Sequence, residues 1–167
     1  MAQKKQAAKR TVKAKKAVKR ATVKKMAVKL PHSQVMDAGL PKYLGMKLTG
    51  LTKKKVTGEM PISEMHLNRT GRVAGGAIMS FADVLGAVGS VVHRPPGYRG
   101  GTVESKTNFF AAGRGPVLYG VSVPLHIGRT TSVWQTTIKN EDGGLVAVVT
   151  QTQIALPKEN PREGERT

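Results

Sequence analysis

From Val73 to Val92 the chain carries one charged residue in twenty, Asp83, and its apolar residues Ile78, Phe81, Ala82, Leu85, Val88 and Val92 recur at steps of three and four. That spacing gathers them on one face and predicts a long helix, apolar nearly all round, of the kind buried inside a fold. Its length would also cross a bilayer, but Gly75, Gly76, Gly86, Gly89 and the central acid argue against a membrane span. After Arg94-Pro95-Pro96-Gly97 the period changes to two. Val121, Val123, Leu125 and Ile127 alternate, as do Trp134, Thr136 and Ile138, which predicts strands over about 101–110, 116–127, 131–139 and 145–156, with Asp142-Gly143 turning the last pair. Upstream, Pro31, Gly39 and Pro41 punctuate a short helix-compatible lead-in ending near Gly45; strand-forming stretches over 46–50 and 53–62 and a polar loop over 63–72 follow. A sheet of so many strands needs a cover on one face, and the helix is the single candidate. The expected class is therefore α+β, one long helix over an antiparallel sheet.

Composition narrows this picture. The 167 residues suit one domain plus a tail, and with no cysteine there are no disulfides, thiolate metal sites or cysteine nucleophiles. Aromatics are only 4%, which disfavours proteins that stack bases on aromatic side chains. The net charge of +18 is unevenly spread: residues 1–29 hold twelve of the 28 Lys and Arg and no acid, while the other sixteen cations and all ten acids leave +6 for residues 30–167. The chain thus divides into a Lys-rich arm expected to be disordered (1–29), a domain (30–157) and a polar tail (158–167). The arm repeats Val-Lys at residues 12, 18, 23 and 28, steps that scatter the valines around a helix and form no membrane-lying stripe. Such an arm suits a polyanion or nucleic acid, bound by counterion release; the plainer reading is a solvated tail that aids solubility. No signal-peptide pattern is present, so a cytoplasmic location is expected.

Asp83 is where chemistry would sit, because a carboxylate in an uncharged helix is costly unless it is paired. It is rotated by about 140° from Ile78 and so faces away from the packing stripe. It is either satisfied by a neighbouring Arg or by water at a subunit contact, or it is a general base or nucleophile in a cleft. The loop Asn68 to Gly76 delivers Gly75-Gly76 to the helix start, where bare N–H groups and the helix dipole suit a developing oxyanion. The histidines 32, 66, 93 and 126 are never three or four apart, so no metal is expected.

The run His66-Leu67-Asn68-Arg69-Thr70-Gly71-Arg72-Val73-Ala74-Gly75-Gly76, then Asp83, then Thr102-Val103-Glu104-Ser105-Lys106-Thr107-Asn108-Phe109-Phe110, resembles the hotdog-fold acyl-CoA thioesterases of the phenylacetic-acid-degradation (PaaI-like) type, as do Gly128-Arg129 and residues 143–147. The likeness covers about residues 40–156 and leaves the arm out. It implies a long central helix wrapped by a curved antiparallel sheet, a homodimer or homotetramer with sites at the dimer interface, and hydrolysis of an acyl-CoA with no cofactor beyond the substrate's CoA. By the same likeness Asp83 is the catalytic carboxylate, Asn68 places the water or thioester, the Gly75 N–H polarises the carbonyl and Thr102 supplies a hydroxyl. Arg129, with Gly76, Arg94 and Arg99, would hold CoA; taken singly, each arginine is more often an ordinary surface cation. Where the family commonly has His-Gly-Gly this chain has Ala74-Gly75-Gly76, so the donor that survives there is the backbone. The alternative is a weakly active or non-catalytic hotdog protein that binds acyl-CoA or, through its arm, a polyanion.

Overall fold

The computed structural model describes residues 33–158; the basic arm and nearly all of the polar tail lie outside the described residues. A 3₁₀ turn (Ser33–Met36) and a short helix α1 (Gly39–Tyr43) lead into strands β1 (Lys47–Leu51) and β2 (Val56–Pro61), and the long helix α2 (Gly75–His93) follows. Four more strands complete the domain: β3 (Tyr98–Phe109), β4 (Val117–Ile127), β5 (Thr131–Asn140) and β6 (Leu145–Pro157). They form one antiparallel six-stranded sheet in the order β1-β2-β4-β5-β6-β3. This is the expected α+β arrangement of one helix over an antiparallel sheet.

The apolar face of α2 meets the sheet where its stripe said it would. Ile78, Phe81, Ala82, Leu85 and Val88 are buried against Met60, Leu118, Trp134, Ile138, Val146 and Val149. The close approach depends on missing side chains: Gly58 and Gly120 are paired across β2 and β4 beneath Phe81 and Leu85, and a Cβ on Gly58 would stand 2.8 Å from Leu85 Cδ2. Register shifts between Leu48 and Gly50, Thr102 and Glu104, and Pro124 and His126 mark bulges, which bend and twist strands around what they cover. By length and hydropathy α2 could cross a membrane, yet 44% of its apolar window is buried inside this fold, where it serves as the core helix.

Strand order departs from sequence order. The strand after the helix does not join its sequence neighbour; β3 crosses to pair with β6 along eleven positions, from Tyr98 opposite Pro157 to Phe109 opposite Ala147. It is thereby an edge strand, exposed along most of its length, with Val103 and Phe109 facing solvent.

Candidate active site

The loop ahead of α2 is built on two polar side chains. His66 is buried; its Nδ1 lies 3.0 Å from the Ser63 N–H, which leaves Nε2 to donate to the Leu44 carbonyl at 3.0 Å. The His66 carbonyl accepts from the Ala74 N–H at 2.7 Å, tying the loop to the helix entrance. Asn68 Oδ1 accepts from the Thr70 N–H at 2.9 Å, the Thr70 hydroxyl at 2.7 Å and the Arg72 N–H at 3.2 Å, closing a turn in which Gly71 takes a φ of +73°. Among the described residues the Asn68 amide nitrogen has no such partner.

At the helix start Ala74 is extended (φ −63°, ψ 137°) and its carbonyl accepts from Ala77 and Ile78, so the N–H groups of Gly75 and Gly76 precede the first intrahelical bonds. Beside them Asn68, Arg72, Val73, Gly75, Ile78, Phe109, Ala111, Ala112 and Gly113 line a groove of about 250 Å³. Its walls are mostly hydrocarbon, and the Phe109 ring lies 3.2 Å from where a Gly75 Cβ would stand.

Asp83 sits two turns further along α2 and is half-buried; although it lies off the main packing stripe, it does not point away from the sheet as the helix geometry suggested, but toward β3 and β6. Its Oδ1 accepts from the Thr102 hydroxyl at 2.8 Å and from Gln151 Nε2 at 2.7 Å, and Gln153 Nε2 donates to Thr102 Oγ1 at 2.9 Å. No hydrogen bond reaches Oδ2 among the described residues. The structure therefore joins Asp83 to Thr102 directly. It adds Gln151 and Gln153, which sequence reasoning missed because Thr150-Gln151-Thr152-Gln153 is polar throughout and shows no inward face.

The remaining candidates lie elsewhere. Arg94 and Arg129 line a small pocket with Ser90, Gly128, Thr130 and Ser132 at the far end of α2, about 27 Å along the helix axis from Gly76. Arg99, on β3 opposite Leu156, does not line that pocket and is engaged in an interaction of its own. Among the described residues no three His, Asp or Glu side chains come together as a metal-binding group.

The thioesterase superfamily model matches residues 70–147, which takes in Gly75, Asp83 and Thr102. The proofreading thioesterase EntH of Cronobacter turicensis is 31% identical over 105 residues, covering 62% of this chain and 76% of that protein. Among solved structures, the PaaI protein of E. coli from the phenylacetic acid degradation operon superimposes with a TM-score of 0.67 at 20% identity, over 75% of this chain and 89% of that one. A hypothetical thioesterase of Streptococcus pneumoniae, solved with coenzyme A, gives a TM-score of 0.62 at 24% identity, over 69% and 88%. With its long helix wrapped by a hotdog-type sheet and this similarity in sequence, the chain belongs to the thioesterase superfamily.

Proposed function

We propose that the protein hydrolyses an acyl-CoA thioester to a free acid and CoA. The observation that carries this reading is Asp83: a carboxylate on the half-exposed side of an apolar helix, one oxygen held by Thr102 and Gln151 and the other unbonded. Oδ2 can take a proton from water as it adds to the thioester carbonyl, or add to that carbon itself; in both routes the C–S bond breaks and the CoA sulfur leaves as thiolate, and in the second water then cleaves the acyl–Asp83 anhydride to release the acid and restore the carboxylate. The Gly75 and Gly76 N–H groups suit the oxyanion formed on the way. With Ala74 beside them, that stabilisation comes from the backbone alone.

Gly75 and Asp83 lie eight residues apart, about 12 Å along one helix, too far to serve one carbonyl. The reading therefore requires a second copy, with Gly75 of one copy beside Asp83 of the other, and the exposed edge strand β3 is the natural seam for such a pair. EntH, by its name a thioesterase, supports the thioester, and the coenzyme A in the pneumococcal structure supports CoA as its thiol. Arg94, about 16 Å along α2 from Asp83, and Arg129, which lines the same small pocket, would meet the CoA phosphates at the end of an extended pantetheine arm.

Thiol release across a panel of acyl-CoAs tests the reading: the wild-type protein should be active on at least one member and the Asp83→Asn variant at least about 100-fold slower on it. A panel that stays silent with wild-type protein contradicts it. The charge segregation supports a second, separate role, that the arm over residues 1–29 binds polyanions such as nucleic acid; silence across the panel together with salt-sensitive DNA binding would leave that role alone standing.

A further inference from the structure

The sheet face beneath Asp83 holds two glutamines in an otherwise hydrocarbon-rich core. Gln151 is fully buried and Gln153 nearly so, and the Oε1 of each is buried without a partner among the described residues. A half-satisfied amide in a core is unfavourable, so its presence asks for a reason other than packing. Both donor ends converge on one place. Gln153 Nε2 can only donate, so Thr102 Oγ1 accepts from it and must turn its own proton toward Asp83; Gln151 Nε2 donates to the same Oδ1.

We propose that Gln151 is a positioning residue for Asp83: with Thr102 it pins Oδ1 and so aims Oδ2 as the reacting oxygen. This rests on the hydrolase reading above. Gly86, three residues beyond Asp83, belongs to the same device, because a Cβ there would land on Gln151 Oε1 and within 2.9 Å of Cδ. The bare backbone of Gly86 is the recess in which the amide lies under the helix. An amide is also the group the task needs. A carboxylate of the same shape would meet Asp83 as a second anion, and the two would have to share one proton.

The test measures kcat and KM across pH for wild type, Asp83→Asn, Gln151→Leu, Gln151→Glu and Asp83→Asn combined with Gln151→Leu, on the acyl-CoA that wild type turns over best. Gln151→Leu should lower kcat by about 10- to 100-fold with KM within about twofold, since one charge-assisted donor is lost and substrate contacts are not. Gln151→Glu should be nearly inactive in mild alkali and regain rate as the pH falls toward about 5, when a shared proton lets Glu donate as Gln did. The double variant should be no slower than Asp83→Asn alone. A wild-type kcat in folded Gln151→Leu, or a wild-type pH profile in Gln151→Glu, overturns the assignment; if Gln151→Leu does not fold, the isosteric Gln151→Glu decides alone. An inactive wild-type protein overturns the hydrolase reading and this role with it. Active wild type, dead Asp83→Asn and indifferent Gln151 variants overturn only the positioning role.

Discussion

At Asp83 the two carboxylate oxygens have different neighbours, and the proposed chemistry follows from that asymmetry. Asp83→Asn keeps the shape and removes the base, so turnover should fall by at least about 100-fold while the melting temperature stays within a few degrees, checked by thiol release and thermal unfolding on one preparation. Thr102→Val removes one of the two donors to Oδ1 and leaves the Gln153 amide unanswered; a loss of about 10-fold in kcat is expected from steady-state kinetics. Asp83 was legible in the sequence because it is the lone charge of its helix, and Gly75 because a glycine pair opens that helix. Thr102 was found through family resemblance, its strand offering no sign of its partner. The glutamines were not legible, since a polar run in a strand gives no hint that two of its side chains turn inward.

At the level of elements, α2 and the four strands after it were readable to within a few residues because each carries a strong period. Strand Gly101 onward was read short: Tyr98, Arg99 and Gly100 have no strand pattern and are drawn into the sheet by pairing with Pro157, Leu156 and Ala155. Strand order was hidden for the same reason, being decided by which edge remains once α2 is covered. The helix–sheet contact has a direct energetic test. Leu85 is fully buried between Gly58 and Gly120, so Leu85→Ala should cost about 2–5 kcal/mol in denaturant unfolding. The β5–β6 turn carries a pH signature. The Gly144 N–H and, after it, Arg114 hold the Asp142 carboxyl below the usual carboxylate range. A lowered value means stabilisation present above the unfolded carboxylate pKa and lost as pH falls through the folded one. Asp142→Ala should therefore lower the melting temperature at about pH 7, with the difference vanishing by about pH 2.

For the whole molecule, charge and catalysis are assigned to different parts of the chain. Deleting residues 1–29 removes twelve cations and none of the proposed catalytic residues. Binding to duplex DNA should disappear while kcat/KM is unchanged, and in the full chain that binding should weaken by roughly 10³-fold between 50 and 200 mM salt. The central claim is that each site is shared by two copies, and mixing two crippled proteins tests it most directly. Gly75→Pro deletes the Gly75 N–H, one of the two proposed oxyanion donors, at a helix position proline tolerates, after an Ala74 whose extended backbone already suits a following proline. Gly75→Pro and Asp83→Asn proteins should each be inactive alone. Unfolded and refolded together in equal amounts, they should recover about a quarter of wild-type activity, because half the dimers carry one intact site. A mixture as inactive as its components would contradict the shared site.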